Sequence, residues 1–340
     1  MPLGRLAQVL RGAGAIPSQD DPSGSPRDAR LVVGPETFDD AGIVRLDPES
    51  GDDQPALVQT VDFFPPVVDD PYLYGAIAAA NALSDVYAMG GRPLSALCLA
   101  GFPKDFSEDW IGAIFRGGFD KVRESGAVIA GGHTVEGDVQ FGFSVTGLVR
   151  PDQATSNAGA QAGDAVVLTK PLGMGTMTTA SKRGLIAWEQ LEPAARQMAQ
   201  LNAAASEAMV AAGASAATDV TGLGVMGHGR NLAAGSDLTL HLDAGSIPVF
   251  EGALHFASEG VASGGSMRNR AALEGQVRVG ADVDPALATV CFDAETSGGL
   301  LIAVGAGGLD ALLGELERRG QFAVRVGQLE PAGDVRVQLG

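Results

Sequence analysis

The chain has 340 residues, of which 45% are hydrophobic and 19% charged, and its formal net charge is −18. A field of that sign repels nucleic-acid backbones and anionic lipid, so neither is an expected partner, and an anionic substrate needs a divalent cation beside it. No run approaches the ~18 apolar residues that span a bilayer. The N-terminus lacks a signal-peptide core, and Cys98 and Cys291 cannot build a disulfide framework, so a cytoplasmic location is expected.

Residues 1–30, rich in Gly, Ala, Pro, Ser and Asp, read as a flexible glycine-rich arm with one helical turn around Leu6–Leu10. From Leu31 onward LVVG, GIVRL, ALVQTVDFF and FGFSVTGLV are short, β-branched and bounded by turn residues, which predicts strands. Between them the small apolar run Gly75–Gly91 and the segment Asp109–Gly126 predict helices. The stretch Ala154–Gly163 reads as a linker. Beyond it, DAVVLTKPLG opens a second series, with a helix over Pro193–Ala212 carrying proline in its first turn, then strands in DLTLHLD, GGLLIAV and FAVRVGQL. The pattern predicts two α+β domains divided near residue 157.

Five acids stand at or inside these elements: Asp39 and Asp40 in PETFDDAG, Asp62 late in VQTVDFF, Asp85 within the alanine-rich helix, and Asp219 in ATDVTGLGVMGH. Carboxylates on separate elements suit Mg²⁺, which keeps waters and bridges substrate phosphates. Asn81 and Asp85 share a helical face, whereas Asp39 equally suits a turn or a cap. An acid inside an apolar helix needs a partner or a metal.

The glycine motifs are less telling. AGGHTVEGD reads as a turn whose N–H groups could meet phosphate, or as an ordinary loop. GLGVMG spells GxGxxG, but AAGASAATD before it is no convincing strand, which disfavours a dinucleotide fold; GxxxxGK[ST] is absent. His133 and His228 have no second His or Cys at zinc spacing, and both cysteines suit burial.

GPETFDDAG, TVDFFPPVVDDPYLYGAIAAANALSDVYAMGGRPLSAL, GGHTVEGDVQFGFSVTG, LTKPLGMGTMTTA, TDVTGLGVMGH, SGGSMRNR and CFDAETSGGLLIAV follow one another from Leu31 nearly to the end. In that order they resemble selenophosphate synthetase (selenide, water dikinase), of the aminoimidazole ribonucleotide synthetase-like superfamily. The resemblance implies an N-terminal α/β domain (31–157) that binds ATP and Mg²⁺ and forms a homodimer through its sheet, and a C-terminal α+β domain (158–340). It implies metal-binding roles for Asp40, Asp85 and Asp219 and a nucleotide and metal contact for Asp62. Asn81, Gly131, Gly132 and His133 would border the same pocket.

Members of that family carry, in the arm, a cysteine or selenocysteine followed closely by a lysine. Here RLAQVLRGAG is similar to the lead-in, Ala15 and Ser18 fall on the two positions, and the first lysine is Lys104. Two functions fit. One is a dikinase converting ATP, selenide and water to selenophosphate, AMP and phosphate. The other is an ATP-binding paralogue without selenide activity, serving another acceptor or acting through a protein partner.

Overall fold

The computed structural model describes residues 28–35 and 38–340; the turn expected at Leu6–Leu10, and Ala15 and Ser18, lie outside the described residues. Strands β1 (Leu31–Val33), β2 (Gly42–Arg45) and β3 (Ala56–Phe64) are followed by helix α1 (Pro71–Ala88), β4 (Arg92–Phe102), helix α2 (Glu108–Glu124), β5 (Val128–Glu136) and β6 (Gln140–Val149). They form one sheet in the order β1-β2-β3-β6-β4-β5, in which β4 and β5 are parallel and the other pairs antiparallel. β4 is absent from the predicted strands. A bulge between Pro93 and Ser95 breaks its alternation, and its end is buried on successive residues.

Helix α1 begins four residues before the predicted Gly75. Asp70 accepts the Leu73 N–H at 2.7 Å and Pro71 takes the first position, where its missing N–H is harmless. Every residue from Tyr74 to Ala88 is buried, so α1 is a core helix rather than an amphipathic one. α2 crosses it at glycine contacts. A Cβ on Gly75 would lie 1.9 Å from the Ile114 carbonyl oxygen, and one on Gly117 would lie 1.9 Å from that of Tyr72. α1 covers one face of the sheet with α2 packed on it; the other face leaves Val61, Phe63, Leu97 and Val135 exposed.

The second half contains β7 (Ala165–Leu168), α3 (Met174–Lys182), α4 (Trp188–Met198), α5 (Ala203–Ala211), β8 (Ala216–Asp219), α6 (Gly224–Gly235) and β9 (Leu238–Leu242). It continues through α7 (Ala253–Ser258), α8 (Gly264–Ala272), β10 (Val277–Val279), α9 (Pro285–Cys291), β11 (Leu300–Val304), α10 (Leu309–Arg318), β12 (Val324–Pro331) and β13 (Val337–Leu339). The sheet order is β10-β13-β9-β12-β7-β11-β8. The architecture is α+β, with helices and sheets mixed in both halves.

Two local expectations are corrected, and a third segment gains an anchor. The single helix over Pro193–Ala212 is two helices: α4 starts at Trp188, which puts Pro193 in its interior. The chain breaks where Asn202 turns inward, its Nδ2 donating to Ser84 Oγ and to the Gly298 carbonyl, each at 2.9 Å. AATD, read as non-strand, is β8. Its residues are all buried, which small alanines allow without the β-branched signature. The stretch read as a linker is tied down: the Asn157 N–H donates to Asp39 Oδ1 at 2.6 Å and Asn157 Nδ2 to the Phe38 carbonyl at 2.9 Å. Asp39 thus anchors the join between the halves.

Candidate active site

β3 alternates strictly, so Val58, Thr60 and Asp62 point to the face that α1 covers, while Val61 and Phe63 point to the open face. On α1, Asn81 and Asp85 lie one turn apart and meet these strand residues. Asn81 Nδ2 donates to Asp62 Oδ2 at 2.6 Å, and the Thr60 hydroxyl donates to Asp85 Oδ2. From the second half, β8 ends in Asp219, and Thr218 beside it donates to Asp40 Oδ1 at 3.0 Å. Four carboxylates, Asp40 from the bend before β2, Asp62 from β3, Asp85 from α1 and Asp219 from β8, therefore converge where the halves meet.

Their electrostatics are those of an uncompensated anionic nest. Burial, then the neighbouring carboxylates, hold Asp40 and Asp85 well above the usual carboxylate range. Burial pushes Asp62 and Asp219 up to about 6, against the hydrogen bond from Asn81 to the one and from Ser84 to the other. Asp40 Oδ2 and Asp219 Oδ2 are buried without a hydrogen-bond partner. Hard oxygens orphaned in this way fit a divalent cation.

His228 belongs to the same cluster. Ligand atoms of Asp40, Asp219 and His228 all lie within 4.8 Å of one another. The Thr221 N–H donates to its Nε2 at 3.2 Å, which leaves Nδ1 as the donor to Thr218 Oγ1 at 3.3 Å. A relay from His228 through Thr218 to Asp40 follows, with burial holding the imidazole down at about 4 and hence neutral. The sequence suggests no role for His228 beyond a disfavoured zinc ligand. Its actual partners are contributed by β8 and the turn after it, which spacing does not reveal.

A cleft of about 910 Å³ opens beside the acids. Asp62, Asn81 and Phe63–Val68 wall it from the first half, and α3, Thr221, Arg268 and Glu295 from the second. The segment CFDAETSGGLL links the two walls. The Ser297 N–H donates to Asn81 Oδ1 at 2.8 Å, and its carbonyl accepts from the buried Lys170 Nζ at 2.8 Å. Desolvation brings Lys170 down to about 7. Glu295 accepts the Gly173 N–H at 2.5 Å at the start of α3, and burial lifts its carboxyl to about 8. Phe38 and Ser297 are two of the three non-glycine residues with left-handed backbone among those described, and both adjoin this site. Spacing in the sequence singles out none of Lys170, Glu295 and Ser297; the one signal is the pair Asp293 and Glu295 set just before a glycine pair.

One expected group lies elsewhere. Gly131, Gly132 and His133 form neither turn nor loop: they belong to β5, the exposed edge strand, paired with Leu97, Cys98 and Leu99. Within one chain they do not line the cleft. His133 instead lines a hollow of about 370 Å³ on the open sheet face, which shares Phe63 with the cleft. Both cysteines are buried, and desolvation pushes their thiols up to about 12.

Residues 38–149 match the family profile of the AIR synthase related protein N-terminal domain, and residues 161–340 that of its C-terminal domain. The sequence is 44% identical over 313 residues to a selenide, water dikinase of Porphyromonas gingivalis, covering 91% of this chain and 88% of that one. It is 45% identical over 321 residues to a selenide, water dikinase of Geobacter metallireducens, covering 94% and 90%. Among solved structures, thiamine-monophosphate kinase from Stenotrophomonas maltophilia K279a superposes with a TM-score of 0.67 at 23% identity, covering 98% of this chain and 95% of that one. Hydrogenase maturation protein HypE in complex with ATP gives 0.62 at 19%, covering 86% and 80%. These two likenesses show a shared fold. On the matched domains and the identity along nine-tenths of its length, the chain belongs to the selenide, water dikinase (selenophosphate synthetase) family of AIR synthase-related proteins.

Proposed function

We propose that this chain is a Mg²⁺-dependent ATP dikinase that converts ATP, selenide and water to selenophosphate, AMP and orthophosphate, working as a cytoplasmic homodimer. The observation that carries the reading is the buried nest of Asp40, Asp62, Asp85 and Asp219, with two orphaned carboxylate oxygens, at the side of a nucleotide-sized cleft. Asp40, Asp85 and Asp219 would hold Mg²⁺, with Asp62 shared between metal and nucleotide. Mg²⁺ bound there supplies charge neutralisation at the phosphoryl oxygens.

The chain's own groups orient the rest. Asn81 clamps Asp62 with its amide nitrogen and the Ser297 N–H with its amide oxygen, so one side chain sets both walls of the cleft. Neutral His228 fixes Thr218 and through it Asp40. The apolar wall Phe63–Val68 shields one side from water and offers a surface for the nucleobase. The homodimer forms through the open sheet face, where Val61, Phe63, Leu97 and Val135 await cover. In that arrangement β5 lies against the partner, and Gly131, Gly132 and His133 border a nucleotide across the interface rather than within one chain.

Anaerobic ³¹P NMR with MgATP, with and without selenide, tests the reading. A selenophosphate resonance with AMP is expected. ATP consumption indifferent to selenide, yielding only ADP, would instead identify a paralogue with another acceptor.

A further inference from the structure

Two cations in the cleft have no counter-charge. Lys182, the last residue of α3, and Arg268, in α8, both line it, and neither makes an ion pair or hydrogen bond among the described residues. The chain has 41 acids and 23 lysines and arginines; among the described residues Arg92, Lys104 and Arg116 also stand alone, but many of the cations are paired. Arg45, Arg150, Arg196 and Arg319, for example, each hold a carboxylate.

Arg268 is also placed against its own helix. Its guanidinium folds back over the first residue of α8, such that a Cβ on Gly264 would lie 3.2 Å from Nη1. A helix N-terminus carries positive potential, so a cation parked there is repelled unless an anion sits with it. The two buried acids that hold α3 and α8 are already engaged, and Asp69, exposed on the wall from the first half, is the remaining carboxylate of the lining besides Asp62. Glu295 takes the N–H groups of Gly173 and Gly175, and Asp293 takes the hydroxyls of Thr176, Ser263 and Ser266. Two cations and the start of α8 thus line one end of a cleft whose other acids repel anions.

The geometry points to a metal-independent phosphate subsite formed by Lys182 and Arg268, within the part of the cleft walled by α3 and α8. This rests on the reading of the cleft as a nucleotide site and adds a second mode of holding phosphate. The aspartates hold phosphate oxygens only through a cation, whereas Lys182 and Arg268 bond them directly. The phosphate has two possible sources, the nucleotide itself or the orthophosphate released from it.

Titration calorimetry on the full chain separates them, using ADP and inorganic phosphate in EDTA, with wild type, Lys182→Met, Arg268→Met and Arg268→Lys. Both side chains are exposed, so unchanged melting temperatures are expected and verify folding. If the nucleotide's phosphate is the ligand, each Met variant weakens ADP about tenfold or more, and Arg268→Lys restores part of the loss. If released orthophosphate is the ligand, inorganic phosphate weakens by that factor while ADP is unchanged. Either result supports the subsite. Unchanged affinities in both Met variants, or wild type that binds neither ADP nor phosphate in EDTA, overturn it. A control with MgATP keeps the two readings apart: wild-type binding of MgATP leaves the nucleotide site standing when the subsite fails, and its absence removes both.

Discussion

Asp85 sits in the last turn of a helix buried from Tyr74 onward, facing three other carboxylates with one hydroxyl to help it. Without a cation, that arrangement costs folding free energy. Asp85→Asn keeps the shape and the contact with Thr60 while removing one charge from the nest. The metal-free variant is expected to melt several degrees above the parent, and scanning calorimetry in EDTA checks it. The same change should weaken Mg²⁺-dependent ATP binding by at least about 100-fold, read by titration calorimetry; undiminished affinity would remove Asp85 from the metal set. A residue that raises stability when neutralised and abolishes binding at once is one kept for function.

At the scale of elements, the α1–α2 crossing holds Asn81 and Asp85 at the strand. Gly117→Ala would drive a methyl to within 1.9 Å of the Tyr72 carbonyl oxygen, so the helices must part. A loss of about 2–4 kcal/mol in urea unfolding is expected, with weaker ATP binding in the fraction that still folds. The same scale shows what the sequence could tell. Long, regular elements were legible, as in β3, β6 and β9, because alternation or apolar runs give their period directly. The acids were legible because a charge in an apolar context is conspicuous. The break between α4 and α5 was not, since it depends on Asn202 finding Ser84 from the other half of the chain, 118 residues away. The strand character of Gly131–His133 was equally hidden, because two glycines imitate a turn and only the pairing with β4 overrides them.

For the molecule as a whole, the raised carboxylates couple stability to pH. A carboxyl whose folded value is raised contributes stability that is fully present below its unfolded value and lost as pH rises through the folded one. For Asp62 and Asp219 that window runs from 3.8 to about 6. His228, lowered from 6.5 to about 4, opposes them over the same span but is a single group against four acids. The metal-free protein should therefore melt higher at pH 5 than at pH 7.5, and Mg²⁺ should raise the melting temperature more at pH 7.5 than at pH 5, a comparison for scanning fluorimetry. The open sheet face supplies the last expectation. If the chain pairs as proposed, Val61→Glu with Leu97→Glu, both exposed in the single chain, should shift it from dimer to monomer in sedimentation analysis without unfolding it.

Helix α1 belongs to neither half alone. It packs on β3, β6 and α2 from the first, and on α4, α5 and β8 from the second. A cut in the joining stretch after Val149 would leave an N-terminal fragment with a strip of alanines uncovered and with Asp85, still bonded to Thr60, lacking the wall that β8 provides. The two family domains are therefore not exchangeable modules. Expressed apart they would each lack a wall, and a split version of this enzyme would regain its shape only when both pieces fold together.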